Sequence, residues 1–413
     1  MSPASRQMAL INVSHIFTHY ALLILATAVL GMVAQDPGAF GLEFGPILAL
    51  GTGMFVLYGA LSLPMGWLAE RVGRRALMAA HFLGTGACMA LAGLASGPWT
   101  LGMALAAMGA FNAIYHPIGT AMLVEAAGEK VGRAIGVNGV FGNIGVALAP
   151  VLTALFATTL GWRWGFILPG VACMAVGFVW LREPALDLSA RVGGGKPFPA
   201  IPPAVVRRAV TVLLSIAFAS GFVFNAFTLL LPKLMQERLA SEPNLLPVVG
   251  LLAFLATLCG GLTQFTVGRL IDRMTLKRVF LPMALVQVPA MLALAYGQGW
   301  VVLPLAALLA AAIFGQVTVN ETMIARYVAP PLRAKLYSIR FFVGFLGAAT
   351  ASPLVGYLHD LSGNLSLPLL VLAGFGAITT LACLFFPDRP EELRPELWGA
   401  AEAPPRGVPV AAE

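Results

Sequence analysis

Residues 66–75 read Gly66-Trp67-Leu68-Ala69-Glu70-Arg71-Val72-Gly73-Arg74-Arg75, and residues 268–273 read Gly268-Arg269-Leu270-Ile271-Asp272-Arg273. Each stretch places a glycine, a carboxylate and arginines where one long apolar run ends and another is about to begin. The two are 202 residues apart. A helix that crosses a bilayer needs about 20 mostly apolar residues. Working outward from both motifs, and breaking the chain at charges, prolines and glycines, yields twelve such runs. They cover approximately 9–34, 44–68, 76–95, 99–126, 131–160, 163–182, 208–232, 245–268, 277–296, 299–325, 333–358 and 366–386. The first is longer than a cleaved leader and carries His15 and His19, so it is expected to be retained as a span.

Composition points the same way. Of 413 residues, 59% are hydrophobic and 10% charged, with a mean hydropathy of +0.87. Soluble domains carry about 25% charged residues, so this chain could not cover a water-facing surface. That excludes a soluble enzyme, a DNA-binding protein and a disordered scaffold. The four cysteines, Cys88, Cys173, Cys259 and Cys383, stand singly in apolar stretches without metal or disulfide spacing. The +7 formal charge reports topology rather than nucleic acid. Nearly all Lys and Arg fall on the side of the two termini, leaving Arg163, Lys233 and Arg238 opposite, so both termini are expected in the cytoplasm.

The halves echo each other. At the same offset of 202, Arg133 pairs with Lys335, Gly142 with Gly344, Gly145 with Gly347 and Gly97 with Gly299. Repeated hydrophobic halves suit a transporter with a central path. The expected organisation is a six-helix half at 1–182, a cytoplasmic linker at 183–207, a second six-helix half at 208–387, and a disordered Pro/Ala/Glu-rich tail at 388–413.

The motif between the second and third runs resembles the G-x-L-a-D-r-x-G-r-r signature of the major facilitator superfamily, and the resemblance extends over essentially the whole chain. Glu70 replaces the usual Asp, which the weaker second copy keeps as Asp272. The resemblance implies an all-α membrane fold of twelve helices in two pseudo-symmetric halves, and alternating access. It also implies a cytoplasmic charge latch at Gly66, Glu70, Arg71, Gly73 and Arg74, with Asp272 and Arg273 in the second copy. Charge-assisted hydrogen bonds can hold helix ends together in this way, and Glu125 is a natural partner for Arg71 or Arg74. Gly136-x8-Gly145-x3-Ala149-Pro150 partly resembles the superfamily's antiporter motif, although small residues at that spacing also serve close helix packing. Phe111-Asn112-Ala113-Ile114-Tyr115-His116-Pro117 is similar to a His-Pro element of fosmidomycin-resistance-type exporters.

Polar groups inside apolar runs are expensive and mark function by default, at about 2.5–3.5 kcal/mol per charge on insertion scales. Asn12, His15 and His19 share one helix face, as do Asn112, His116 and Thr120, with Pro117 expected to kink the second helix. In the fold implied by the resemblance, these faces meet. Imidazoles there could carry a proton or, when charged, attract an anion; equally, they could only hydrogen-bond between packed helices. His81 and His359 are placed at span ends, without a role. Glu321 and Arg340 lie at similar depth on successive runs, about 7 Å and about 10 Å in, so an ion pair between them is expected. Paired, they would act as a staple; unpaired at one stage of the cycle, Glu321 could carry a proton or Arg340 hold an anionic group. Tyr115, Asn138, Asn225, Gln316 and Asn320 complete the candidate binding set, and Tyr337 could also orient a ligand.

The expected function is proton-coupled secondary transport of a small organic, anionic or amphiphilic compound, with His15, His116 and Glu321 handling protons and export favoured. Proton symport of an organic anion, led by Arg340, is the alternative. A non-transporting membrane sensor is the reading from another class. No phosphate-binding loop or catalytic constellation is present, so neither ATP-driven transport nor enzyme chemistry is expected. Neither a cofactor nor a metal is expected. The partners are a small-molecule substrate, protons and the lipid bilayer, and the protein is expected as a monomer in the inner (plasma) membrane.

Overall fold

The computed structural model describes residues 3–35, 40–127, 131–184, 198–239 and 246–398. Every regular element among them is helical. Among the described residues, twelve helices are long and apolar enough to cross a membrane. In chain order the elements are α1 (Pro3–Gln35), α2 (Phe44–Ala49), α3 (Thr52–Ser62), α4 (Met65–Val72), α5 (Arg74–Gly93) and α6 (Pro98–Asn112). A π-helical turn, Tyr115–Gly119, leads to α7 (Thr120–Ala127). There follow α8 (Val131–Leu160), α9 (Trp162–Arg182), α10 (Pro203–Leu239), α11 (Leu246–Ile271), α12 (Leu276–Tyr296), α13 (Val302–Tyr327), α14 (Pro330–Ser362) and α15 (Ser366–Leu384).

Hydrophobicity on all faces makes these helices membrane spans, and burial then sorts them. The apolar window of α1 is 78% buried inside the protein, against 39% for α9 and α15, so α1 is central and the others present a face to lipid. Between α4 and α5 the chain turns at Gly73, whose φ of 87° lies where only glycine is unstrained. This is the structural reason for a glycine inside the 66–75 motif.

The sequence repeat is a repeat of contacts. A Cβ at Gly145 would strike the Ile16 carbonyl, and one at Gly347 would lie 2.5 Å from the Phe218 carbonyl. Both the glycines and their partners are 202 residues apart. Arg6 Nε donates to Glu183 Oε1 at 3.0 Å, and Arg208 Nε donates to the Phe385 carbonyl at 2.6 Å, each closing its half over 177 residues.

How the halves meet is written in the core. On the side away from the termini, one continuous apolar core joins both halves, from Tyr20–Met32 and Phe44–Tyr58 to Phe222–Leu239 and Ala348–Val355. Ser352 Oγ donates to the Leu48 carbonyl there, and α8 packs on α11 where Gly250 meets the Pro150 carbonyl. On the terminal side the core is split. One part (Ile11, Met65, Leu77–Phe82, Ile114–Leu123, Trp180) belongs to the first half. The other (Val205–Ile216, Val267–Ala284, Val319–Val328, Phe386, Trp398) belongs to the second. The halves therefore close on each other at the far side and part toward the termini.

Two expectations change. Residues 388–398 were expected in a disordered tail, but they form two 3-10 turns docked under the second half. Trp398 is buried beside Tyr327, and Glu392 accepts from Leu276 N–H and Tyr327 Oη, each at 2.5 Å. A tryptophan and a fully covered carboxylate override the Pro/Glu-rich composition. α10 also extends well past the expected 208–232, because its charged ends carry the helix beyond the apolar run.

Candidate functional site

The site begins with a proline. Pro117 has no N–H for the Ala113 carbonyl, and the helix answers by widening into the π turn Tyr115–Gly119. In a regular helix, residues 115 and 116 point about 100° apart. Here the Tyr115 and His116 rings both reach the His15 imidazole, with centroids at 4.8 and 5.3 Å.

Asn138 of α8 organises the rest. Its side-chain amide donates to Asn12 Oδ1 at 2.9 Å and to Tyr115 Oη at 2.7 Å, and its backbone carbonyl accepts from His15 Nδ1 at 2.7 Å. A carbonyl only accepts, so His15 carries hydrogen on Nδ1, and in the neutral ring Nε2 has the lone pair. His19 Nε2 lies 3.0 Å from His15 Nε2, so His19 is the donor between them. A proton arriving on His15 Nε2 would turn that bond round and force His19 to the other tautomer. The pair can thus hold one added proton in a shared hydrogen bond. Gly142 makes room for it: a Cβ there would lie 2.5 Å from the His15 ring. At the pseudo-symmetric position the second half has Ala217, so the imidazole cluster belongs to one half only.

The other half supplies the facing wall. His116 stacks on Phe341 of α14 (centroids 5.3 Å, 19° between planes), and Tyr58 of α3 packs on Phe345 at 4.3 Å. The Arg340 guanidinium is 5.3 Å from the Phe341 ring, close enough for its charge to act on His116. Its Nη1 is buried without a hydrogen-bond partner. Glu321 and Arg340 feel each other's charge, yet no ion pair forms between them. Instead, Tyr337 Oη donates to the Glu321 backbone carbonyl at 2.8 Å. The staple, one of the two roles open to this pair, is therefore not formed in this conformation, and Arg340 Nη1 is left without a partner beside the imidazoles.

Not every candidate joins the cluster. Asn112 is fully buried and bridges to α1 through the Thr18 carbonyl. Asn225 bonds the Gly221 carbonyl of its own helix, and Gln316 bonds Gln287 within the second half, so both serve packing. Asn320 is buried with Oδ1 unpartnered. Conversely, His81 was misplaced at a span end. It is fully buried, its ring 5.8 Å from Tyr115, with Nε2 lacking a partner. Its seven-residue distance from Arg74, about 10 Å of helix, was the available signal. Nothing in the sequence marked Tyr58, Phe341 or Phe345. His359 lies at the far side, 2.6 Å from Glu237.

The motif at 66–75 is open to solvent. Glu70 makes no ion pair among the described residues, and Arg71 lies over the Trp67 ring at 3.9 Å. Arg75 instead caps α9 through the Leu181 and Glu183 carbonyls. The Glu125 side chain lies outside the described residues, and Asp272 and Arg273 are exposed without an ion pair among the described residues.

Comparison with known proteins agrees with this architecture. A bacterial homologue of the human lysosomal transporter Spinster, solved in an inward-facing and unoccupied conformation, superposes with a TM-score of 0.64 over 99% of this chain and 100% of that one, at 16% identity. The multidrug resistance protein MdtG of Dickeya zeae is 25% identical over 308 residues, 73% of this chain and 74% of that protein. The puromycin resistance protein pur8 of Streptomyces alboniger is 35% identical over 116 residues, 27% of this chain and 23% of that protein. The sequence profile of the Major Facilitator Superfamily matches residues 8–246 and 244–411, once for each half of the pseudo-symmetric fold. With twelve spans, two like halves and a profile covering nearly all of it, this chain belongs to the major facilitator superfamily.

Proposed function

We propose that this multi-pass transporter couples proton movement to the passage of a small organic, anionic or amphiphilic compound, with export favoured, across the inner (plasma) membrane and with both termini cytoplasmic. The observation that carries the reading is the His15–His19 hydrogen bond beside His116, facing an unpaired Arg340 from the other half. The imidazoles take the proton, and Arg340 with Phe341 and Phe345 offers a cation and an apolar wall to the substrate. The relatives named for multidrug and puromycin resistance support export, and supply no substrate for this chain. Glu321, apart from Arg340 here, is a second proton carrier at a greater distance from the cluster.

A proton on the imidazoles and the Arg340 guanidinium are like charges on opposite halves. They repel unless an anion sits between them. An anion bridging the two would travel with the proton, whereas an anion or amphiphile that occupies the site in place of the proton would travel against it. Arg340 favours the first for a carboxylate or phosphonate substrate, so proton symport of an organic anion stands as the second reading.

Proteoliposomes under an imposed pH gradient, with an internal pH dye and a panel of organic anions and drugs, test both. A transported compound dissipates the gradient in the native protein and fails to do so in His116→Ala. The sign of proton flux relative to substrate separates exchange from symport. Substrate accumulation with no proton flux would end the coupling reading and leave Arg340 as a binding residue in a uniporter.

A further inference from the structure

His15, His19 and His116 bring one ring nitrogen each to within 4.8 Å of one another. Along the chain, three-histidine ligation was conceivable but not expected, because no carboxylate accompanies the histidines and their spacing is unremarkable; the π turn nevertheless carries His116 to the pair on α1. We propose that these three imidazoles form a binding site for a zinc-type divalent transition metal, with the fourth position open to water or an anion on the Arg340 side. The proposal uses the residues of the transport reading but not its proton coupling.

Three observations carry it. His15 and His19 are four residues apart on one helix face, the spacing with which two helical histidines share a zinc ion. His15 Nδ1–H is held by the Asn138 carbonyl, which orients the ring and leaves the Nε2 lone pair facing the site, the arrangement typical of ligating histidines. At metal–nitrogen distances of about 2.0–2.1 Å, tetrahedral ligands sit roughly 3.3 Å apart. The His15–His19 nitrogens, at 3.0 Å, are already near that edge, and His116 is bound by no hydrogen bond among the described residues that would resist its closing in.

Charge shapes what the site would accept. Among the described residues no carboxylate accompanies the ligands, and the surrounding titratable groups are His81, Tyr58, Tyr115 and Arg340. Three neutral imidazoles leave the ion with both its charges beside a guanidinium. Binding is therefore expected to tighten when an anion takes the fourth position, where it would contact metal and Arg340 together.

The test is Co2+ titration of the full-length, tag-free protein in detergent, read by the visible absorption of tetrahedral cobalt and by its displacement with Zn2+. One equivalent should bind, with affinity falling at least about tenfold in His19→Ala and in His116→Ala. It should be unchanged in His359→Ala, at the far side. Adding acetate should strengthen binding in the native protein and have less effect in Arg340→Gln. Absence of the tetrahedral spectrum in folded native protein would overturn the proposal, as would equal cobalt uptake in the two histidine variants. Neither result bears on the pH-gradient assay, so the two readings fail separately.

Discussion

Asn138 sets the chemistry of the centre with a single residue. Its amide and carbonyl fix Asn12, Tyr115 and His15 at once, and so decide which His15 nitrogen meets His19. That network depends on the space above Gly142. In an ordinary helix interior, Gly→Ala is favourable by about 0.5–1 kcal/mol. Here the new methyl would instead displace the pinned His15 ring from the Asn138 carbonyl, so Gly142→Ala should lower stability by about 1–3 kcal/mol and abolish proton flux in the protein that remains folded. Flux retained in the folded variant would instead make Gly142 a packing residue. Arg340 states the complementary point. A buried donor without a partner costs about 1–3 kcal/mol, and a ligand that satisfies Nη1 recovers it. Arg340→Gln should therefore weaken binding of anionic substrates far more than neutral ones, seen as a selective rise in KM across the panel.

At the scale of elements, the Tyr115–Gly119 turn is the part that builds the site. Restoring a backbone donor with Pro117→Ala permits a regular helix and turns His116 away from His15. Proton coupling should be lost in a protein at least as heat-stable as the native one. A second element, the 388–398 strap, ties α12 to α13. Arg326 lies 3.7 Å from Glu392, and Thr275 Oγ1 donates to Asp388 at 2.5 Å. Burial pushes the Glu392 carboxyl above its usual range, opposed less strongly by its bonds to Tyr327 and Leu276 and by the Arg326 charge. The folded state thus holds this proton more tightly than the unfolded state. The stability it contributes is complete at acid pH and is lost as pH rises through the raised value. Thermal melts of the native protein against Glu392→Gln should show this loss in the native protein, and a flatter profile for the variant across the same range.

The whole molecule is two rigid halves that share a core at one side and have separate cores at the other. Such a pairing is bistable, since closing the terminal side would require opening the far one. The far contact is tight: a Cβ at Gly356 would sit 2.8 Å from the Gly45 backbone. Overpacking of this kind costs about 1–3 kcal/mol, enough to shift the balance between states by roughly five- to 150-fold. Gly356→Val should therefore populate the far-side-open state. Spin-label distances across the two sides would report it, lengthening at the far side and shortening at the terminal one. Unchanged distances would mean that the backbone absorbs the methyls and that Gly356 is not part of the closure.

The spans, their two-fold repeat and the family were legible in the chain itself. Bilayer crossing needs only length and hydrophobicity, and the repeat is a fixed offset. The polar set was half legible. Asn12, His15, His19 and His116 stood out because charge and hydrogen-bonding capacity are costly in lipid wherever they occur. Asn225 and Gln316 gave the same signal and turned out to satisfy neighbours in their own half, since sequence gives a residue's depth in the membrane but not the direction it faces. His81, Tyr58, Phe341 and Phe345 were hidden for that reason, and Trp398 because composition averages over a single anchoring ring. The sequence alone determined that this protein is a twelve-span, two-fold transporter, because those properties are sums along the chain. Tertiary structure alone decided that His116 meets His15, that Arg340 stands apart from Glu321, and which side of the molecule is closed. Those are contacts between helices far apart in sequence, fixed by how a proline, a glycine and two facing halves pack.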